Sequence, residues 1–468
     1  MNTRKEKIHK YNIFYKILWS LVMFGVRNFY RRIEIAGKEN IPYGSRFIIT
    51  PNHQNALMDA MAVLFFVKGK DTIFMTRADI FKKKSQERIL TFLKMLPIYR
   101  IRDGIQELSK NEEIFERSLF IISERTPLCL MPEGNHGDKR RLRNFVKGAF
   151  RIAFRSQEMA GDSESVKILP VGIDYQHYQK YHQDLLVIFG KPVDVLDYMA
   201  IYRENQPKGI NALKDRLADE MRKLMIHINN DELYDMFQNM RHIWNERMRL
   251  IAGIRGKSLF DKFRADKLMI SILDNKYETE PDTLRNLAEK TKMYINNLDK
   301  LNLRNWVIER EGSSFLSMIS RFLLLVLFSP LALYGFINNR LPYIIPVKKI
   351  KTLKDKQFHS SFKFAFALLM FPAFYIVQSV LVGLLTGPAW IGWAYFLSLP
   401  VTGYLALYWS FHYKKLKAAI SFRNMKRGKN TVLENTIQLH RDILDCMQKI
   451  CTDYIKKIPL KEEKLQYV

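Results

Sequence analysis

The chain has 468 residues, too many for one ordinary compact domain and enough for two to four. Its 47% apolar and 26% charged residues exclude a mostly disordered chain, a collagen-like repeat and a disulfide mini-protein. The 75 Lys and Arg against 47 Asp and Glu leave a net charge of +28, which suits an anionic partner: nucleic acid, an acidic membrane surface or a phosphorylated ligand. Cys129, Cys446 and Cys451 make neither a C-x-x-C pair nor an even framework, against an oxidised secreted fold.

In chain order, residues 1–32 form the first unit. Arg4, Lys5, Lys7 and Lys10 precede an apolar core from Ile17 to Val26, as in a signal peptide, but Arg27-Asn28-Phe29-Tyr30-Arg31-Arg32 stands where small residues of a cleavage site belong. Residues 9–31 therefore predict a helix lying at a lipid interface. From 33 to 200, short apolar runs at 46–50, 72–75, 128–131, 166–171 and 185–189 alternate with helical stretches at 80–95, 105–123 and 144–160. That alternation predicts an α/β domain with a mostly parallel sheet flanked by helices. Residues 201–312 turn to helical periodicity, with helices expected near 209–229, 231–252, 258–276 and 281–300.

The following 48 residues, 364 to 411, contain no Asp, Glu, Lys or Arg. Phe364–Leu385 and Trp390–Phe411 each reach about 33 Å as helices, enough to cross roughly 30 Å of hydrocarbon, and Thr386-Gly387-Pro388-Ala389 supplies the turn. A transmembrane hairpin over 347–413 is the prediction. The shorter run Phe322–Ile337, interrupted by Pro330, predicts a re-entrant or membrane-associated segment at 313–346. The basic loop 340–363 and the basic tail 414–468 fall on one side of the hairpin, which the positive-inside rule makes cytoplasmic; the soluble half would share that side. Residues 432–456 read as an amphipathic packing helix.

The most informative constellation is Pro51-Asn52-His53-Gln54-Asn55-Ala56-Leu57-Met58-Asp59, after a strand and at a helix start. On one continuous helix, six positions put His53 and Asp59 about 240° apart. With His53 in the preceding turn, the ring can fold back so that Asp59 accepts from Nδ1 and leaves Nε2 as a general base. Met131-Pro132-Glu133-Gly134-Asn135-His136 closes another strand, where a carboxylate can hold a substrate hydroxyl or organise the loop; Lys139, Arg140, Arg141, Arg143 and Lys147 follow and suit phosphate. Pro97-Ile98-Tyr99-Arg100 is short and extended beside a charge, and Ile168-Leu169-Pro170-Val171-Gly172 is an apolar strand broken by a proline.

In that order the four blocks resemble the glycerol-3-phosphate and lysophosphatidate acyltransferase family, over about residues 30 to 195, in the branch with five residues between His and Asp. The resemblance implies His53 as base, Asp59 as its partner, Arg100 as a phosphate ligand, and Glu133 with Gly134 as the acceptor-binding loop. The family's Thr-Arg after Glu-Gly is Asn135-His136 here, so Lys139 or Arg140 is expected to replace the missing arginine. It further implies acyl transfer from acyl-CoA or acyl carrier protein to a phosphorylated glycerol or lysophospholipid hydroxyl, with no cofactor beyond that co-substrate and membrane lipids as partners. A non-catalytic lipid-binding scaffold on the same fold, and an acyltransferase for another lysolipid or amino-lipid, are the alternatives.

Other motifs fail. Gly253-Ile254-Arg255-Gly256-Lys257-Ser258 lacks the first glycine of a P-loop, since Ile251 stands there. No G-x-S-x-G elbow appears; His53, His136 and His177 lack metal-ligand spacing; and no nucleic-acid motif accompanies the charge.

Overall fold

In the computed structural model, residues 8–67, 71–99, 110–353 and 355–457 are described. They divide into two compact units: one of residues up to His227 with 258–260 and 353–364, the other of 228–257, 261–352 and 365 onward.

The first unit is built on an eight-stranded sheet: β1 (Arg32–Ala36), β2 (Phe47–Pro51), β3 (Ile73–Arg77), β4 (Met95–Ile98), β5 (Leu128–Cys129), β6 (Lys167–Tyr175), β7 (Asp184–Phe189) and β8 (Val193–Asp194). The order is β1-β7-β6-β2-β5-β3-β4, with β8 on β6. All pairings are parallel except β6 with β7 and β8, so the expected α/β class with a mostly parallel sheet holds. Strand β1 had no sequence signal: the basic run leading into it masks a strand whose residues are all half-buried at the sheet edge.

Alternation along the strands makes two cores. Ile48, Leu128 and Ile168 face helices Lys110–Ser123, Gly148–Ala160 and Gln206–Leu224, while Phe47, Ile49, Cys129 and Leu169 face helices Ile13–Phe29 and Leu57–Phe66. Helix Gln206–Leu224 buries Leu213, Leu217 and Met221 in the first core, which moves the domain limit from the expected 200 to His227. Helix Ile13–Phe29 buries Met23, Val26 and Phe29, leaving Phe14, Ile17, Leu21 and Phe24 exposed on its other side.

Pro170 does not break its strand. It sits where the flank of β6 passes from β8 (Ile168 opposite Val193) to β7 (Val171 opposite Phe189), a point where a missing N–H forfeits no ladder bond on that flank. Two residues on, Gly172 meets the end of helix Gln206–Leu224: a Cβ there would stand 1.8 Å from the Leu224 carbonyl oxygen. Gly172→Ala is expected to lower unfolding free energy by at least about 2 kcal/mol, read by chemical denaturation of the chain in detergent.

The second unit is helical. Helices Pro281–Lys300 and Thr431–Lys457 pack together, with Tyr294 stacked on His440 at 5.4 Å, and the buried Arg241–Asp266 pair (2.7 Å) ties helix Tyr234–Ile243 to helix Leu259–Thr279. Two helices, in the stretches Lys356–Thr386 and Ala389–Arg427, are long and apolar enough to cross a membrane. Gly387, at φ +87°, makes the sharp turn between them. Helices Phe315–Leu327 and Ser329–Ile350 meet at a 60° bend, with Pro330 in the first turn of the second, the geometry of a broken span or a re-entrant loop.

Candidate active site

The strand β2 ends at Pro51, and the chain beyond it stays on the sheet for one more residue. Asn52 bonds β6 through both side-chain atoms, Nδ2 donating to the Ile173 carbonyl (3.2 Å) and Oδ1 accepting from the Ile173 N–H (2.7 Å). This fixes the departure of the next four residues. Ala56 then adopts φ +43°, ψ −121°, strained for any residue with a Cβ, before helix Leu57–Phe66 begins. Ala56→Gly is expected to stabilise the chain by about 1 kcal/mol, seen as a higher melting temperature.

The strained turn lets three donors converge on one carboxylate oxygen. Asp59 Oδ2 accepts from the Gln54 N–H (2.9 Å) and the Asn55 N–H (2.7 Å) and lies 2.9 Å from His53 Nδ1. Its other oxygen accepts from the Tyr175 hydroxyl at 2.7 Å. Asp59 is fully buried, so these partners replace its lost hydration. Burial, aided by the Asp59 charge, pushes the Tyr175 phenol well above its ordinary value and keeps it a donor. With Nδ1–H directed at Asp59, His53 presents Nε2 as the basic nitrogen, and among the described residues no hydrogen bond engages it.

Glu133 holds the same turn from the far side. Its Oε1 accepts from the His53 N–H (2.8 Å) and its Oε2 from Arg143 Nε (2.8 Å), while Arg143 Nη2 reaches the His53 carbonyl at 3.3 Å. Burial raises the Glu133 carboxyl above its ordinary value, opposed chiefly by the Arg143 charge. Of the two roles open to Glu133 in the sequence, its bonds are those of a loop organiser. Gly134 supplies the turn at φ +67°, and Asn135 is exposed.

His136 packs edge-on against His53 (ring centroids 5.6 Å apart) and against Phe358 (4.9 Å), with Nε2 3.2 Å from Asp355 Oδ2. Burial lowers its basicity, opposed chiefly by the bond to Asp355. Arg140 is largely buried on a pocket wall, its guanidinium donating to Asp174 and to the Tyr175 carbonyl of β6. Lys139 stays exposed, and Arg100 lies outside the described residues. This shallow, solvent-open pocket joins His53 and Glu133 to Lys139, Arg140, Arg141 and Arg143. Among the described residues no cluster of His, Cys, Asp and Glu could hold a metal ion.

Tyr175 was no sequence candidate, while Asn52 and Arg143 had been singled out only as a member of the first motif and as a cation suited to phosphate. Arg143 lay within the basic run; nothing local marked Tyr175, 116 residues from its partner.

Residues 32–174 match the family model described as Acyltransferase, so β1 to β6 form an acyltransferase domain and the chain is an acyltransferase enzyme. Among solved structures it is similar to the 1-acyl-sn-glycerophosphate (LPA) acyltransferase PlsC from Thermotoga maritima, at 20% identity and a TM-score of 0.32, over 44% of this chain and 81% of that one. No curated protein matches the chain.

Proposed function

We propose that the chain is a membrane-bound O-acyltransferase that moves a fatty acyl group from an acyl thioester, acyl-CoA or acyl carrier protein, to the hydroxyl of glycerol-3-phosphate or its 1-acyl form. The observation that carries this reading is the buried Asp59 at 2.9 Å from His53 Nδ1, beside a pocket lined by Lys139, Arg141 and Arg143. The acceptor oxygen attacks the thioester carbonyl carbon as its proton passes to His53 Nε2, and Asp59 stabilises the imidazolium. The tetrahedral intermediate then collapses: the C–S bond breaks and the departing thiolate takes the proton from His53. Base assistance of this kind supplies about 10²–10⁴-fold in rate.

The basic pocket suits an acceptor phosphate and the anionic donors. Lys139 and Arg140, the cations expected to stand in for the family's missing arginine, both border that pocket. Leu384 and Leu385, 77% and 85% exposed in the stretch without charged residues, support a lipid environment, as do the bare apolar residues of helix Ile13–Phe29. The basic flanks of the hairpin favour a cytoplasmic catalytic domain.

The test is an acceptor panel: purified full chain with labelled acyl-CoA or acyl carrier protein, against glycerol-3-phosphate, lysophosphatidate and a glycerolipid without phosphate. Transfer to a phosphorylated acceptor and none to the unphosphorylated one is expected. Acylation of the unphosphorylated lipid alone would sink the acceptor assignment.

A further inference from the structure

The segment that leads into the first long apolar helix, residues 355–361, falls within the basic loop 340–363 of the sequence. It lies in the first unit with the catalytic turn. Ser360, fully buried in the first turn of helix His359–Thr386, donates its hydroxyl to Asn55 Oδ1, and Ser361 Oγ donates to the Asn55 carbonyl at 3.4 Å. Lys363 Nζ caps the Gln179 carbonyl at 2.9 Å, and Phe364 packs edge-on against Phe29 at 5.7 Å. Five residues before Ser360, Asp355 holds His136 against His53.

Asn55 is the pivot. Its N–H is the shortest of the bonds to Asp59 Oδ2, its Nδ2 donates to the Tyr178 carbonyl (3.1 Å), and Ala56, the strained residue, follows it directly. Without the Ser360 hydroxyl, Asn55 Oδ1 is buried with an unmet acceptor, and the turn can relieve this by relaxing the positive φ of Ala56. Such a relaxation withdraws the Asn55 N–H from Asp59 and turns His53. A packing contact alone would not join the two ends of the catalytic pair to one seven-residue segment lying 305 positions along the chain.

We propose that Ser360 and Asp355 are positioning residues for the His53–Asp59 pair, Ser360 acting through Asn55 and Asp355 through His136. The seating of the first turn of an apolar helix thereby becomes part of what aligns the base. This rests on His53 being the base.

The experiment uses the full-length chain in lipid nanodiscs, as wild type, Ser360→Ala and Asp355→Asn, with Thr386→Ala at the other end of the helix as control. Two readouts are taken: kcat and KM for acyl transfer to lysophosphatidate, and the rate at which diethyl pyrocarbonate modifies the His53 peptide, followed by mass spectrometry. Ser360→Ala is expected to lower kcat about 10-fold with KM within about twofold, and to slow His53 modification by a similar factor. Asp355→Asn, at a half-exposed site that poses no folding risk, is expected to lower both about threefold. Should Ser360→Ala fail to fold, Asp355→Asn decides. Wild-type rates in both readouts for the folded variants overturn the proposal while leaving the acyltransferase reading intact. An inactive wild type counts against the acceptor, and His53 modification then decides the positioning claim.

Discussion

His53→Ala is expected to lower kcat for acyl transfer by about 10²–10⁴-fold with little change in melting temperature or donor KM. The loss is large because, among the described residues, the other candidate bases beside the turn are engaged: Glu133 with the His53 N–H and Arg143, and His136 Nε2 with Asp355. The fold is spared because the His53 ring contributes one bond to the Asp59 shell, while the backbone donors of Gln54 and Asn55 and the Tyr175 hydroxyl remain. A purified variant assayed beside wild type for labelled product checks both parts. Retained activity would falsify the base assignment.

The second large effect is at Asp59, where catalysis and stability fall together. Asparagine fits the volume, with its oxygen toward the three donors and its amide nitrogen toward Tyr175, whose hydroxyl oxygen can accept. The imidazolium that forms during transfer then has no countercharge, so Asp59→Asn is expected to lose about 10²–10³-fold in kcat. Weakened bonds from the two backbone N–H groups reduce stability by about 1–3 kcal/mol. Asp59→Ala is worse: it strands two buried N–H groups and a phenol, and about 3–5 kcal/mol is expected to be lost. Denaturant unfolding of both variants, run beside the assay, checks the order wild type, Asn, Ala. A Gln54 or Asn55 backbone role is silent in any side-chain scan, which is why the stability readout is needed.

The candidate site was legible to the extent that its residues are close in sequence. His53 and Asp59 belong to one strand–turn–helix, and the argument that a six-residue spacing forbids contact on a continuous helix already requires a turn between them; the structure supplies it at Ala56. Glu133 was visible as a carboxylate at a strand end, but its role depends on Arg143 and on the His53 backbone, which only the folded sheet brings near. Arg140 illustrates the converse: the cations at 139, 140, 141 and 143 look alike in sequence, and only the fold shows which of them pairs with Asp174. Tyr175 and Ser360 were beyond reach because each meets the turn across more than a hundred residues, with no periodicity to mark it.

The fold followed a similar division. Apolar runs and helical periodicity located β2, β3, β5, β6 and β7 and most helices of both units. They could not give the antiparallel return of β7, which depends on the turn at 176–183, nor the break of the expected 231–252 helix at Trp244, whose buried ring separates Tyr234–Ile243 from Asn245–Ile251. The two long apolar helices were plain from composition, yet the second runs on to Arg427, since its lysines and arginines favour helix as much as the uncharged part does.

The central claim is that an imidazole deprotonates an acceptor alcohol directly, without an acylated enzyme. Intact-mass spectrometry of the full chain mixed with acyl-CoA, with and without lysophosphatidate, tests it most directly. The account predicts an unmodified chain in both cases, with free CoA released only when the acceptor is present. A chain carrying one acyl group before acceptor is added, and losing it when acceptor arrives, would contradict it.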